Sequence, residues 1–370
     1  MTSHRILVVD DEIGMLRSVE RVLGQDYKLA STRSPRTAVE LATEFKPDLA
    51  ILDIQMPEMD GFRLMEKLRA SDSDLKVIFM TGTVHELDAK LIQAIRKDAF
   101  YFLHKPFDRG VLLALVERCL ELRRLEISNR EYFLRIEREL RDARAFQQSL
   151  LPSHSGNVGS ISVSAHYIPC YELAGDFYDY VAIPPNGAVI LVADVSGHGA
   201  SAAMLTGTVK SALHSASSDS YEPAAVVDRV ANGIREFGSN RFISLICVRV
   251  RDGFADYVNA GHPPGIISTS ENTSPVLSVT GPIISPAFSF SWQQETIDIQ
   301  RNSDRIVLFT DAIIEAESEA GPYGIERLVE EITTRPADGK VLAEQILQSL
   351  VKFTGGRPIN DDLTLVVADL

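Results

Sequence analysis

The chain has 370 residues, 45% hydrophobic, 24% charged and 7% aromatic, a globular composition large enough for two ordinary domains with a connector. A formal net charge of −14 argues against a nucleic-acid reader, which needs a basic face to displace counterions, so no nucleic-acid partner is expected. Cys119, Cys170 and Cys247 lie far apart with no C-x-x-C pair, which argues against a disulfide framework or zinc site and fits a reducing cytosol. The opening "MTSHRILVVDDE" runs straight into a strand rather than a signal peptide, and the longest apolar runs are well short of the roughly 20 residues of a membrane span. A soluble, cytoplasmic protein with no membrane partner is expected.

Up to about residue 122, apolar runs alternate with helical patterns. "RILVVD" precedes a helix over about Ile13 to Leu23; "YKLAS" precedes one over Pro35 to Phe45; "DLAILD" precedes one over about Gly61 to Ala70. "KVIFMT", a helical stretch near Leu87 to Lys97, "FYFLH" and a helix from Asp108 complete the series. Strand–helix alternation of this kind predicts a five-stranded, doubly wound parallel α/β domain of flavodoxin-like type, whose ligands bind at the carboxyl ends of the strands. Those ends carry Asp10 and Asp11, Asp53, Thr81, and Lys105 just after the last strand. Three converging carboxylates repel one another unless a divalent cation sits among them, and oxygen ligands suit Mg²⁺. With the cation bound, Asp53 is placed to attack a phosphoryl donor and form an acyl phosphate. Thr81 and Lys105 are suited to bond the incoming phosphoryl oxygens. A single strand-end aspartate is more often a helix cap and a single lysine a surface charge; five such residues on one sheet edge are poorly explained that way.

The motifs "VVDDE", "LDIQMPEMDG", "MTG" and "LHKPF" span residues 4–122 and resemble the receiver domain of bacterial two-component response regulators. The resemblance implies that Asp53 is the phosphoacceptor, that Asp10 and Asp11 hold Mg²⁺ with it, and that Phe102 is the switch aromatic. It also implies a cognate sensor histidine kinase. Gly82 stands where many relatives have alanine, a change expected to act on phosphoryl lifetime rather than on the assignment.

From about Val111 to Leu151 the chain reads as one long helix without proline or glycine, of which 123–151 is the connector. A heptad register catches Leu115, Leu122, Leu125, Asn129, Tyr132, Ile136, Ala143, Phe146 and Leu150, broken by Arg118 and Glu139. Such a seam with charged flanks predicts a two-helix coiled coil and a homodimer, one buried Asn fixing the register; the alternative is a solvated single helix. Pro152 and a Gly/Ser-rich loop end it.

Over 152–370 strands follow in close succession: "ISVSAHYIP", "DFYDYVAIP", "GAVILVADV", then, after helices over about His198 to Ala216 and Pro223 to Phe237, "RFISLICVRV", "FADYVNAG", "GIIST", "SFSWQQETIDI" and "DRIVLFTDA". A helix near Lys340 to Phe353 precedes "DDLTLVVADL". Grouped strands around a helical pair predict an α+β layered β-sandwich. Asp176, Asp194, Asp311 and Asp361 with Asp362 fall at strand ends, a donor set that favours Mg²⁺ or Mn²⁺. Gly197 and Gly199 are read as leaving room for a phosphate or metal-bound water beside Asp194. Two such cations would position water for in-line attack on phosphorus and neutralise the transferring oxygens.

The motifs "QQSLLP", "AGDFYD", "ADVSGHGASAA", "NAGHPP", "LFTDAIIEA" and "NDDLTLVV" resemble the bacterial metal-dependent serine/threonine phosphatases of the PPM family (protein phosphatase 2C-like), in the branch of sporulation and stress-response regulators. The resemblance implies two Mn²⁺ or Mg²⁺ ions: Asp194 as the bridging ligand with the Val195 carbonyl, Asp311 and Asp361 completing one metal, and Asp176 binding metal or orienting its water. His198 and His262 are read as structural, the latter as a turn feature. Relatives usually have glycine after the third metal aspartate; Ala312 follows Asp311 here, and a φ above zero at that position would strain an alanine by roughly 1 kcal/mol. Relatives dephosphorylate an anti-sigma-factor antagonist in partner switching, which becomes the expected protein substrate. The alternative is a non-catalytic adaptor that binds a sigma or anti-sigma factor through a degenerate phosphatase fold.

Overall fold

The computed structural model describes residues 4–82, 101–215, 221–236, 241–269, 273–287, 290–301, 303–319, 321–333 and 338–370. The helix expected near Leu87 to Lys97 lies outside the described residues. Contacts divide the chain into two units, Met1–Glu137 and Arg138–Leu370.

In the first unit, β1 (Arg5–Val9), β2 (Lys28–Thr32), β3 (Leu49–Asp53), β4 (Lys76–Thr81) and β5 (Tyr101–His104) form one parallel sheet in the order β2-β1-β3-β4-β5. Between their ends the inner strands are apolar because both of their faces are buried. Ile6, Val8, Leu49 and Ile51 pack on one side with Leu16, Val19 and Leu23 of the helix Ile13–Leu23. Leu7, Val9, Ala50 and Leu52 pack on the other with Ala38, Leu64 and Leu68 of the helices Pro35–Phe45 and Gly61–Ser71. Both of those helices start at side-chain caps: Ser34 accepts from the Thr37 N–H ahead of Pro35, and Asp60 accepts from the Arg63 N–H at 2.8 Å. Gly61 sits against the Asp53 carbonyl, where a Cβ would collide, so the "DG" of "MPEMDG" lets this helix begin close behind the strand end.

The last helix is one uninterrupted span, Arg109–Leu150. Its first turns belong to the receiver core through Leu112, Val116 and Cys119. Its charged middle is tied to the same unit by ion pairs: Arg123 reaches Asp72 at 2.8 Å, and Arg130 meets Asp74 with two parallel bonds of 2.7 Å. Beyond them Tyr132, Phe133, Leu134 and Phe146 are exposed, as is Leu125 between Arg123 and Arg130.

The second unit is a sandwich of two antiparallel sheets. One has the order β14-β11-β10-β9-β8 (Glu295–Asp298, Phe254–Ala260, Ile243–Arg251, Gly187–Val195, Asp176–Ile183). The other has the order β13-β12-β15-β18-β7-β6 (Thr273–Leu277, Gly265–Ser268, Arg305–Phe309, Leu363–Asp369, Ile161–Ile168, Ser155–Val158). Side chains alternate across each strand with period two. Ile190, Val192, Ile246, Val248, Ile306, Leu308, Val366 and Ala368 fill the space between the sheets. The intervening Leu191, Ala193, Leu245 and Cys247 pack outward on the helices Ala200–His214 and Pro223–Glu236. Val307, Phe309, Leu365 and Val367 pack outward on the helices Gly324–Thr333 and Gly339–Phe353. The central runs "AVILVA" and "LVVA" are therefore continuously apolar for the same reason as the strands of the first unit.

The differences from the sequence reading are local. The edge strands β6 and β13, the short hairpin of β16 (Glu317–Ser318) and β17 (Gly321–Pro322) and the helix Gly324–Thr333 were not anticipated. Of the strand expected over "SFSWQQETIDI", whose first residue lies outside the described residues, Glu295–Asp298 is strand; ahead of it Trp292 turns inward and donates its Nε1–H to the Pro282 carbonyl at 2.7 Å.

Because Leu112 is fully buried in the receiver core, Leu112→Ala is expected to destabilise that unit by about 2–5 kcal/mol. The exposed Arg124→Ala is expected to stay within about 0.5 kcal/mol. Urea unfolding of the two variants checks the contrast.

Candidate active sites

At the carboxyl edge of the parallel sheet the five predicted residues do meet. Asp10 and Asp53 are buried, and one carboxylate oxygen from each of Asp10, Asp11 and Asp53 lies within 4.8 Å of the others. Lys105 Nζ sits 2.7 Å from Asp10 Oδ2 and 2.9 Å from Asp53 Oδ1. It is a largely buried counter-charge, not a surface lysine. Burial raises the Asp53 pKa, Asp10 and Asp11 add to the rise, and Lys105 opposes it. Burial alone would lower the Lys105 pKa, but its bonds to Asp10 and Asp53 outweigh that and leave it raised. Thr81 ends β4 at the same edge, and its carbonyl accepts from the Lys105 N–H at 2.8 Å. Phe102 is half-buried with its ring 5.7 Å from that of Phe79. Three carboxylates in a tight group with one ammonium between them fit a divalent cation of the Mg²⁺ type.

In the sandwich, the period-two alternation brings residues from both sheets to one end. Asp176 and Asp194 are partners in the β8–β9 ladder, on the face between the sheets. From the opposite sheet, the Thr310 and Thr364 hydroxyls donate to Asp176 Oδ2 at 2.8 and 2.6 Å. Asp176 is buried, and burial followed by the Asp194 charge pushes its pKa well up despite the two hydroxyls. Asp194 is pushed up to about 7 by burial and then by Asp311, Asp361 and Asp362. Asp311 is raised by burial and then by Glu315 and Asp361, against the Ala312 backbone N–H.

The two adjacent aspartates divide their work. Asp362 is buried, its oxygens accepting from the Cys170 N–H at 2.8 Å and the Gly175 N–H at 2.7 Å. Asp361 is exposed at the lip of a cavity of about 620 Å³ that Ala312, Glu315, Thr354 and Arg357 also line. The oxygens of the sandwich aspartates are not drawn together as closely as the receiver's: among the described residues, the one group of three within 4.8 Å is Asp10, Asp11 and Asp53. The mutual repulsion that lifts Asp194 is nonetheless what bound cations would relieve, so the donor set fits divalent metal ions.

Four further features bear on the sequence reading. Among the described residues, the non-glycine positions with positive φ are Lys46 and Glu58, so Ala312 carries no left-handed strain. His198 is exposed and stacks on Tyr171 with centroids 4.3 Å apart. Gly199 is open, but the space beside Gly197 holds the Arg241 guanidinium. His262 is buried, its backbone N–H donating to Asn259 Oδ1 at 2.8 Å and its ring Nδ1 lying 2.7 Å from Ser244 Oγ. Thr310, Thr364 and Gln147 were missed. Gln147, buried in the last turn of the long helix, pairs with both backbone groups of Ala174: its Nε2 donates to the carbonyl at 2.8 Å and its Oε1 accepts from the N–H at 3.2 Å. It thereby ties the helix end to the segment that leads into Asp176.

These two sites and their folds define a receiver domain joined to a PP2C-type phosphatase domain. Residues 6–117 match the response regulator receiver domain. Residues 184–370, just over half of the chain, match Stage II sporulation protein E (SpoIIE), and the chain belongs to that family. It is 26% identical over 250 residues to the phosphoserine phosphatase RsbP of Bacillus subtilis, covering 65% of this chain and 60% of RsbP. To RsbU, a phosphoserine phosphatase of the same organism, it is 27% identical over 240 residues, covering 63% of this chain and 70% of RsbU. The regulatory protein AtoC of Escherichia coli is 34% identical over 124 residues, which is 33% of this chain and 26% of AtoC. The chain thus spans less than two thirds of AtoC and of RsbP. The SiaA-PP2C domain of Pseudomonas aeruginosa superposes with a TM-score of 0.55 at 19% identity, over 65% of this chain and 98% of that one, a likeness of fold. Among the described residues, no helix is long and apolar enough to cross a membrane.

Burial holds the His262 pKa down at about 3, against an ordinary value of 6.5. The unfolded chain therefore binds a proton that the folded one refuses between those values. The stability it contributes is complete above about pH 6.5 and is lost as pH falls toward about 3, by roughly 1.4 kcal/mol per pH unit. His262→Gln is expected to flatten that part of the acid-unfolding profile, measured by near-UV circular dichroism on the intact chain.

Proposed function

We propose that this protein is a response regulator in which phosphorylation of Asp53 controls a metal-dependent phosphoprotein serine/threonine phosphatase. The observation that carries the reading is the pairing of Asp53 with Lys105, Asp10 and Asp11 in one unit and the crowding of Asp194 by Asp311 and Asp361 in the other. In the receiver, Asp10 and Asp11 hold Mg²⁺ beside Asp53, Asp53 is the nucleophile toward a phosphoryl donor from a cognate sensor histidine kinase, and Lys105 and Thr81 bond the transferred oxygens. Thr81 and Phe102 act as the switch. In the phosphatase, Asp194, the Val195 carbonyl, Asp311 and Asp361 would hold two Mn²⁺ or Mg²⁺ ions, and Asp176, its Oδ2 fixed by Thr310 and Thr364, would bind metal or orient its water. Bound there, the ions supply Lewis-acid activation of water and neutralise phosphoryl charge. Asp362 holds the Cys170–Gly175 segment in place, and the exposed Asp361 leaves the approach clear to a phosphoserine on another protein.

The names of RsbP and RsbU support a phosphoserine protein as substrate. The resemblance drawn from the motifs narrows this to a phosphorylated anti-sigma-factor antagonist. The exposed Leu125, Tyr132 and Phe146 support pairing of two connectors into a homodimer, since such a row is otherwise left in water. The continuous helix from Arg109 to Leu150, gripped at its end by Gln147, supports transmission along the connector.

Asp194→Asn is expected to lower Mn²⁺-dependent hydrolysis of p-nitrophenyl phosphate at least about a hundredfold with the fold intact; retention of most of the turnover would remove Asp194 from the centre. Acetyl phosphate with Mg²⁺ is expected to add one phosphoryl mass to the wild-type chain and none to Asp53→Ala. Beryllofluoride, standing in for the phosphoryl group on Asp53, is expected to raise turnover of a phosphoserine protein. Moving the active population from about 1% to about 50% takes about 2.7 kcal/mol, within reach of one phosphoryl group. Unchanged turnover would exclude the coupling, and lower turnover would reverse its sign.

A further inference from the structure

The turn that follows Asp194 and Val195 is held from outside by the first residues of the neighbouring strand region. Phe242 closes it with two bonds to Ser196: the Ser196 N–H donates to the Phe242 carbonyl at 2.9 Å, and the Phe242 N–H donates to Ser196 Oγ at 3.0 Å. Arg241 adds a clamp across the same turn. Its Nη1 donates to the Ser196 carbonyl, and its Nε donates to Ser201 Oγ at 3.0 Å in the first turn of the helix Ala200–His214. Gly197 has φ of 77°, and a Cβ there would run into the guanidinium. The glycine is needed both for its backbone and for the room it gives Arg241.

Helix stability does not explain this placement. A cation near a helix N-terminus is unfavourable, and Gly199 at the cap has no side-chain bond to offer. What the guanidinium does satisfy is the turn: one rigid planar group fixes Ser196 and Ser201 together, on either side of the glycines. Ser196 directly follows Val195, whose N–H is in turn bonded to the Gly175 carbonyl at 3.2 Å, next to Asp176. The clamp thus reaches the backbone that aims Asp194 and the Val195 carbonyl.

We infer that Arg241 is a positioning residue of the phosphatase metal centre, holding the Ser196–Gly199 turn so that Asp194 and the Val195 carbonyl are aligned before cations bind. The inference rests on the assignment of Asp194 as a metal ligand made above. It requires no contact of Arg241 with substrate or metal; its effect is on cation affinity.

The test is Mn²⁺ titration of the full chain, followed by the electron paramagnetic resonance signal of the free ion, in an Asp11→Asn background that removes the receiver's cation. Arg241→Ala is expected to weaken Mn²⁺ binding about tenfold, and to raise the Mn²⁺ concentration for half-maximal p-nitrophenyl phosphate hydrolysis by the same factor. Turnover at saturating Mn²⁺ is expected to stay within about threefold of the parent. Arg241→Lys, which keeps one donor without the planar fork, is expected to fall between the two. Gly197→Ala serves as the second variant: it should weaken Mn²⁺ binding too, and by less when Arg241 is already alanine, because its Cβ then meets no guanidinium. Circular dichroism establishes that each variant is folded. If folded Arg241→Ala binds Mn²⁺ as the parent does while Asp194→Asn does not, the positioning role is overturned and the metal assignment stands. If Asp194→Asn itself binds Mn²⁺ with parental affinity, the metal assignment falls and the inference falls with it.

Discussion

Carboxylates brought together at the buried ends of strands repel one another, and each unit of this chain is arranged around that repulsion. The receiver opposes it with a fixed ammonium, Lys105, bonded to Asp10 and Asp53 at once. The sandwich uses neutral donors instead. Asp176 takes two threonine hydroxyls, Asp362 takes two backbone N–H groups, and Asp194 is left crowded with its pKa near 7. These donors fasten Asp362 and the Oδ2 of Asp176, and the repulsion left at Asp194 is what a bound cation would relieve. Asp362 and Asp361 adjoin in sequence but differ in burial, and the exposed Asp361 accepts the Asp362 backbone N–H at 2.8 Å.

Both sites follow from sheet geometry. In the receiver, parallel strands buried on both faces leave their carboxyl ends as the place where polar side chains gather. In the sandwich, even-numbered residues of β8, β9, β15 and β18 face the space between the sheets. The same phase puts Asp176, Asp194, Thr364 and, one residue past β15, Thr310 into one layer, two from each sheet. The threonine–aspartate bonds therefore join the sheets where the inter-sheet core gives out, and loss of either hydroxyl would leave a buried carboxylate short of a donor.

Much of this was legible in the sequence, because long apolar runs ending in aspartate mark buried strands and the sites at their ends. Among the described residues, strand and helix positions in the receiver agree with the sequence reading to within a residue or two, and the Lys105 bonds account for why an isolated lysine was informative there. Thr310 and Thr364 were also within reach, since "VLFTDA" and "DDLTLVV" carry them in phase with the inward apolar positions; the aspartates drew the attention that period-two counting would have spread. Gln147 and Arg241 were not legible. Each acts through backbone groups distant in sequence, Ala174 and Ser196, and nothing in the local pattern of a helix end or a strand start reports such a contact. The helix Gly324–Thr333 was missed although Ile325, Leu328, Val329 and Ile332 keep helical spacing, because its one long polar face and short length resemble a loop.

That the crowded carboxylates are cation sites is the claim on which the functional account stands. Equilibrium dialysis of the intact chain against Mn²⁺, followed by elemental analysis, measures it without reference to any substrate. The account predicts one ion for the receiver and two for the phosphatase unit, with a rise in the unfolding temperature of both. A chain that retains no more than a single ion at saturation would contradict it.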